Sequence, residues 1–167
     1  MIKILGIILI FIACYGFAQK RITKSRKKSS QLSSLISGLK EIADKISFLG
    51  EPLYEIISSV NQHNNNIFFS EILSILSDDK KVSMETAWKE ALESKEIALS
   101  EDAKEVLLLL GKTIGRQTAQ KEEENIGFCI EKLSSILAEE EQLLKKNTKM
   151  IQSLGIVSGL AIVILFV

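Results

Sequence analysis

The amino-acid sequence predicts an all-α protein, a compact six-helix bundle with an N-terminal and a C-terminal transmembrane helix. The chain of 167 residues contains one proline, and aromatic residues make up only 6% of it, with no strand-like alternation of any length. Between about residue 29 and residue 149, apolar residues recur mostly at i, i+3 and i+4, the spacing of a helix with one buried face. Both ends of the chain are apolar runs with hardly any charge.

These runs divide the chain into four predicted segments. Residues 1–18 are an N-terminal membrane anchor, 19–28 a basic juxtamembrane segment, 29–149 a cytosolic helical bundle and 150–167 a C-terminal transmembrane helix. The roughly 120 residues between the two apolar ends suffice for one helical domain with its own core.

Composition excludes several classes of function. Lys+Arg and Asp+Glu both number 21, so the chain lacks the basic excess that marks a nucleic-acid-binding protein. Cys14 lies in the first apolar run and Cys129 on a predicted buried helix face, so these two cysteines build neither a disulfide framework nor a zinc site. The single histidine, His63, lies in a polar turn, which leaves no metal cluster and no nucleophile–base pair. We therefore expect no cofactor, and we expect the domain to lie in a reducing cytosol.

The N-terminal run, MIKILGIILIFIACYGFA, has two interpretations. Gly16 and Ala18 are small enough for a signal-peptide cleavage site. However, the basic residues follow the apolar run, whereas a secretory signal carries its positive charge ahead of the apolar core. The order of charges favours an anchor that is retained.

A cluster of basic residues predicts the orientation of the domain. The cluster consists of Lys20, Arg21, Lys24, Arg26, Lys27 and Lys28. Lys and Arg close to a span stay on the cytosolic side, and Lys145, Lys146 and Lys149 flank the second apolar run in the same way. Both ends therefore predict a domain that faces the cytosol. The alternative role of the cluster is binding to anionic lipid.

Apolar stripes predict the first three helices of the bundle. The first stripe consists of Leu32, Leu35, Ile36, Leu39, Ile42, Ala43, Ile46 and Leu49. The second consists of Leu53, Ile56, Ile57 and Val60, and the third of Ile67, Phe68, Ile72, Leu73 and Leu76. Gly50 and Pro52 end the first helix and start the second, which predicts a helical hairpin. The polar stretches 63–66 and 78–81 end the second and third helices.

The remaining three helices are predicted from caps as well as stripes. Ser83 and Ser100 are the predicted N-caps of the fourth and fifth helices. The fourth stripe consists of Ala87, Trp88, Ala91 and Leu92, and we interpret Trp88 as a core residue. The fifth helix runs from Glu101 to Gly115. The sixth begins near Gln117 and continues unbroken into the last apolar run, with a buried stripe of Ile126, Cys129, Ile130, Leu133, Ile136, Leu137, Leu143 and Leu144.

The sequence Leu110-Gly111-Lys112-Thr113 ends like a phosphate-binding loop. That loop requires G-x-x-x-x-G-K-[ST] after a strand, and the position of its first glycine is occupied by Val106. The preceding residues also follow a helical pattern. We interpret Gly111 and Gly115 instead as small residues that allow two helices to approach closely.

Three short segments are candidate interaction sites. Glu122, Glu123 and Glu124, and likewise Glu139, Glu140 and Glu141, lie on the predicted polar side of the sixth helix, as a solvated face or as a docking face for a basic partner. Gly155 and Gly159, with Ser158 beside them, form a G-x-x-x-G pattern that lets helices pack closely in lipid. Small residues are also frequent in membrane spans in general. The helix that packs against this pattern is either the first apolar run or the span of a partner protein.

Several segments, taken in order, resemble the stage III sporulation protein AB family. They are the basic residues after the first apolar run, Gly50-Glu51-Pro52-Leu53-Tyr54-Glu55, Thr86-Ala87-Trp88, Leu110-Gly111-Lys112-Thr113-Ile114-Gly115 and Ser153-Leu154-Gly155 with Gly159-Leu160. The resemblance covers nearly the whole chain. Some family members carry Asp or His after the second glycine of the fourth segment, where this chain has Arg116, so no role is transferred to that turn.

The resemblance implies a membrane protein of endospore-forming bacteria, made in the mother cell and part of the channel complex that links mother cell and forespore. The family's soluble domain is similar to the cytosolic helical domains of type II secretion platform proteins, which work beside a secretion ATPase. We therefore expect a non-enzymatic assembly component whose partners are the lipid bilayer, other channel proteins, a secretion-type ATPase and further copies of the chain, and not nucleic acid. The alternative is a membrane-tethered helical signalling or chaperone-like adaptor.

Overall fold

The computed structural model describes the backbone of residues 2–49, 51–78 and 81–166 and the side chains of residues 22–46, 51–78, 81–151 and 153. Within this part of the chain there are six helices and no strand, as predicted. They are α1 (Ile2–Leu49), α2 (Leu53–Asn64), α3 (Ile67–Asp78), α4 (Met84–Glu93), α5 (Glu101–Thr113) and α6 (Ala119–Phe166). The predicted boundaries at Gly50 and at residues 79–80 fall outside the described residues.

The predicted transmembrane helices at residues 1–18 and 150–167 are wrong. Among the described residues, no helix offers a stretch that is both long and apolar enough to cross a bilayer. The two apolar runs lie mostly outside the residues whose side chains are described.

The first and last helices are each 48 residues long. The basic residues 19–28 are helical and continue α1 without a break. No proline or glycine lies between Ala18 and Leu32, so nothing in this stretch interrupts the backbone hydrogen bonding. The chain divides into two compact units, one formed by Met1–Lys27 with Glu139–Val167 and the other by Lys28–Ala138.

The unit Lys28–Ala138 holds the hydrophobic core. Leu32, Leu39 and Ile42 of α1 are fully buried, as are Ile126 and Leu133 of α6. All six helices contribute to this single cluster of apolar side chains. Because isolated helices as short as α2 to α5 are marginal in water, burial of these stripes supplies most of the unit's stability.

An aromatic group lies within this core. The rings of Phe68 and Trp88 are 5.0 Å apart at 87°, and those of Phe68 and Phe69 are 5.7 Å apart. The core position predicted for Trp88 is confirmed, since this side chain is fully buried and its Nε1 donates a hydrogen bond to the carbonyl oxygen of Leu107 at 2.8 Å. A Cβ at Gly38 would overlap the Phe69 ring, so glycine is what lets α1 approach α3 there.

Capping side chains set several helix ends. Ser83 accepts a hydrogen bond from the backbone N–H of Thr86 at 3.2 Å, as predicted for an N-cap. Ser100 occupies the N-cap position of α5, but its hydroxyl makes no capping hydrogen bond. Between α2 and α3, Asn65 adopts a left-handed conformation with φ 42°, and Asn66 Oδ1 accepts from the backbone N–H of Phe68 at 2.9 Å.

The turn between α5 and α6 differs from its predicted form. Helix α5 ends at Thr113 and α6 begins at Ala119, so Gly115 is outside both helices. Its φ of 79° is a conformation that side-chain-bearing residues rarely adopt. Gly115 is therefore required by the backbone geometry of the turn, and it also lies close to α2, since a Cβ at this position would be 3.3 Å from Leu53 Cδ2.

Candidate interaction surfaces

The first acidic run of α6 divides into one structural residue and two surface residues. Glu122 is only 6% exposed, and its Oε1 accepts hydrogen bonds from the backbone N–H groups of Arg116 at 2.9 Å and Gln117 at 3.1 Å. These contacts hold the turn that precedes α6, and the ion pair of Arg116 with Glu85, at 2.6 Å, ties the same turn to α4. The sequence places Glu122 on the polar side of α6, whereas the structure buries it. Glu122 is therefore not available to a partner.

Beyond this turn, α6 presents an exposed surface that combines acidic and aromatic groups. We call it the α6 surface and define it by Glu123, Glu124, Gly127, Phe128 and Glu131, all of which are exposed. Phe128 is 62% exposed even though the Lys132 ammonium lies 5.5 Å from its ring centroid. An aromatic ring left in water between carboxylates is a common anchor in protein–protein interfaces.

Gly127 is the second unusual feature of the α6 surface. An added Cβ at this position would meet no heavy atom of any described residue within 4 Å. A glycine inside a helix lowers helix stability by about 1 kcal/mol relative to alanine. At Gly111 this cost is explained by packing against Trp88, whereas no described residue packs against Gly127. The same residue type would allow another helix to approach the α6 backbone closely.

The other predicted interaction residues lie in the unit that contains both chain ends. Glu139 and Glu141 are exposed and Glu140 is half-buried on α6. Gly155, Ser158 and Gly159 belong to α6, but their side-chain surroundings lie outside the described residues.

The basic cluster of α1 is mostly exposed where its side chains are described. Lys24, Arg26 and Lys27 are exposed and Lys28 is half-buried, whereas the side chains of Lys20 and Arg21 lie outside the described residues. The helix α1 continues through all six positions. The cluster thus forms part of a helix surface and not an extended linker.

The residues that resemble a phosphate-binding loop have a packing role. A Cβ at Gly111 would lie 2.7 Å from Trp88 Cγ, so α5 contacts the indole directly at this glycine. The Thr113 hydroxyl donates to the Leu110 carbonyl oxygen at 3.1 Å, within its own helix. This arrangement supports the interpretation of Gly111 as a close helix contact.

Titratable groups that carry catalysis elsewhere are engaged or inactivated here. His63 lies in the last turn of α2, where its Nδ1 donates to the Ser59 carbonyl oxygen at 2.9 Å. Burial raises the pKa of the Cys129 thiol to about 12, so it is not a thiolate at neutral pH. Among the described residues, no group of three His, Cys, Asp or Glu side chains could hold a metal ion.

Sequence reasoning missed two features of the unit Lys28–Ala138. The exposure of Phe128 is one, although its place between Ile126 and Cys129, off the buried stripe, could have indicated it. The other is a cleft of about 190 Å³ where α1 meets the α2–α3 turn and the loop before α5, with apolar walls from Leu35, Phe68 and Leu99. Its polar rim is already hydrogen-bonded, because Asn66 Nδ2 donates to Ser34 Oγ at 3.0 Å.

Comparison with known proteins gives one consistent family. The sequence profile of the family described as stage III sporulation protein AB matches residues 3–167. A stage III sporulation protein AB from Bacillus subtilis (strain 168) is 30% identical, over 99% of this chain and 99% of its own. A solved structure of stage III sporulation protein AB (SpoIIIAB) superposes with a TM-score of 0.62 at 21% identity, and covers 71% of this chain and 97% of its own.

Proposed function

Because the chain belongs to the stage III sporulation protein AB family, we propose that it is a non-enzymatic assembly component of a secretion-like channel complex between mother cell and forespore. Membership in the family gives it a role in sporulation. We assign partner binding to the α6 surface. The partner surface that fits it is basic and has a pocket for an aromatic ring.

The observation that carries this proposal is the exposed Phe128 beside the uncovered Gly127. Burying a phenylalanine that is 62% exposed would contribute a large part of the binding free energy of a small interface. Gly127 lets the backbone of a partner helix come close, which increases the area in contact around the ring. Glu124 and Glu131 add electrostatic selection for basic groups, which affects association rate and partner choice more than affinity.

The proposal that the chain is not an enzyme is supported by the roles of the residues that resemble a phosphate-binding loop or carry a nucleophile or base. Gly111 packs against Trp88, the Cys129 thiol is buried, and His63 is bonded to its own helix. Catalysis requires an acid, a base or a nucleophile that faces a shared pocket. Each of these three residues already serves the packing or hydrogen bonding of the helical unit.

We place the protein at the cell membrane on the mother-cell side, with the helical unit in the cytosol. The exposed Lys24, Arg26 and Lys27 of α1 support this location, because basic residues near a membrane surface are attracted to anionic lipids. The partners in this proposal are the lipid bilayer, other sporulation channel proteins, a secretion-type ATPase and further copies of the chain.

The test replaces Phe128 by serine in the full-length chain in sporulating cells. We expect lower recovery of channel proteins in a pull-down and fewer heat-resistant spores, at an unchanged cellular level of the protein. Leu109→Ser is the matched control, since Leu109 is 59% exposed and belongs to α5 and not to the α6 surface.

Two outcomes would contradict the proposal. If Phe128→Ser leaves both partner recovery and spore count unchanged, the α6 surface is not the docking surface. If the proteins recovered with the wild-type chain are sensor kinases, without channel subunits or a secretion-type ATPase, the chain is a signalling adaptor instead.

A further inference from the structure

A basic cleft lies between α1 and α6 in the unit that contains both chain ends. The cleft has a volume of about 340 Å³ and is lined by Arg26, Glu141, Leu144, Lys145, Thr148 and Lys149. Arg26 comes from α1 and the other five residues from two turns of α6. The fold therefore brings together basic residues that are far apart in the sequence.

Among the described residues, the positive charge in this cleft is not balanced by ion pairs. Three cationic side chains line it and Glu141 is its single carboxylate. Within the described part of the chain, ion pairs join Lys45 to Glu41, Lys104 to Glu101 and Arg116 to Glu85, and none of them involves Arg26, Lys145 or Lys149. Cations that converge without such pairs repel one another, and a bound anion would remove that repulsion.

The chemistry of the lining residues fits one kind of anion. An arginine guanidinium donates two parallel hydrogen bonds to phosphate oxygens, and lysine ammonium groups add charge from other directions. The hydroxyl of Thr148 adds a further donor, while Leu144 gives the cleft an apolar wall against which a non-polar part of the ligand can pack.

We propose that this cleft binds the phosphate group of an anionic phosphate ester. Two sources of that chemistry exist, the headgroup of an anionic phospholipid and a soluble phosphate compound. The proposal goes beyond the partner-binding role of the α6 surface and does not depend on it, because it concerns other residues in the other unit of the chain.

The experiment measures binding of the purified full-length chain to vesicles by co-sedimentation. Vesicles of phosphatidylcholine mixed with phosphatidylglycerol are compared with vesicles of phosphatidylcholine alone. We expect binding to the anionic vesicles, and a loss of about 25-fold in the double variant Lys145→Gln with Lys149→Gln, at about fivefold for each lysine. The variant Lys145→Arg with Lys149→Arg keeps the charge and should bind like the wild type.

A matched control separates the cleft from general charge. Lys121→Gln with Lys146→Gln removes the same charge from exposed positions that do not line the cleft, and its affinity should stay within about threefold of wild type. Circular dichroism checks that all three double variants keep the helical content of the wild type.

The source of the phosphate is decided by a second titration, with inorganic phosphate and with glycerol 3-phosphate in solution, followed by phosphorus NMR. Binding that is confined to anionic vesicles assigns a lipid headgroup, whereas saturable binding in solution that the Lys145 and Lys149 variant loses assigns a soluble ligand. The proposal is overturned if neither form binds, or if the control variant loses as much affinity as the cleft variant.

Discussion

The indole of Trp88 occupies the space into which a side chain at residue 111 would project. Trp88 is fully buried, and its Nε1 is fixed by the hydrogen bond to the Leu107 carbonyl oxygen at 2.8 Å. A Cβ on Gly111 would lie 2.7 Å from Trp88 Cγ and 2.9 Å from its Nε1. A flat ring held by a hydrogen bond cannot move aside as a flexible side chain can, so the contact requires glycine.

We therefore predict that Gly111→Ala lowers the free energy of unfolding by about 1 to 3 kcal/mol. Gly127→Ala is the matched control, because it places the same methyl group on a helix position where no described atom lies within 4 Å. The control should raise the free energy of unfolding by about 0.5 to 1 kcal/mol, since alanine favours helix. Urea unfolding followed by circular dichroism measures both variants, and a change of the same sign in the two would contradict the prediction.

The second prediction concerns the turn before α6. Glu122→Ala removes the carboxylate that accepts from the backbone N–H groups of Arg116 and Gln117. The turn is exposed and the Arg116 N–H keeps the Thr113 carbonyl oxygen at 3.3 Å, so we expect a loss of about 1 kcal/mol in the free energy of unfolding. Glu122→Gln keeps one acceptor oxygen and should lose less. Glu124→Ala, at an exposed position of the same helix, should remain close to wild type. Equal effects of Glu122→Ala and Glu124→Ala in thermal unfolding would show that the two hydrogen bonds contribute nothing.

The third prediction concerns the start of α3. Asn66 is 5% exposed; its Oδ1 accepts from the Phe68 backbone N–H at 2.9 Å and its Nδ2 donates to Ser34 Oγ at 3.0 Å. Asn66→Ala removes both bonds and should lower the free energy of unfolding by about 1 to 2 kcal/mol. Asn66→Asp keeps the cap but not the donor, and so should be intermediate. The exposed Asn147→Ala is the control, expected to be neutral or slightly stabilising in chemical denaturation.

The fourth prediction concerns Cys129 and pH. Burial raises the pKa of its thiol from 9.0 to about 12, so the folded chain holds this proton more tightly than the unfolded chain. The associated stability is fully present below pH 9 and is lost as pH rises from about 9 towards 12. In a Cys14→Ser background, the thiol should react slowly with a disulfide reagent at pH 8 and quickly once urea unfolds the chain. Fast reaction in the folded state would show that the thiol is accessible.

Cys129→Ala provides the control for the pH dependence. Other groups also titrate in alkali, so the relevant quantity is the difference between the two chains. We expect the free energy of unfolding to fall less steeply above pH 9 in Cys129→Ala than in the parent chain. Parallel curves would exclude a contribution from the thiol.

The helices of the unit Lys28–Ala138 were largely predictable from sequence. The stripe from Leu32 to Ile42, the start of α2 after Pro52 and the Ser83 cap were all predicted and are observed. These features depend on the 3.6-residue period of the helix and on hydrogen bonds between residues three or four positions apart. Such interactions are local, so the identities of neighbouring residues are enough to predict them.

Other features were decided by the tertiary structure. The sequence shows glycine at residues 111 and 127 alike, yet one packs against Trp88 and the other faces open space. Glu122 and Glu124 have the same side chain two positions apart, and only Glu122 turns inward to accept hydrogen bonds from the preceding turn. The predicted transmembrane helices were wrong, since no helix among the described residues has a stretch that is both long and apolar enough to cross a bilayer.

Local sequence by itself determined where helices form, how they are capped and which face of each is apolar. Only the tertiary structure decided which residues meet across helices, such as Arg26 with Lys145 and Lys149, and which apolar residue, such as Phe128, remains exposed. The physical reason is that helix formation depends on interactions within about four residues along the chain, whereas packing and electrostatic contacts depend on distances between residues that folding brings together.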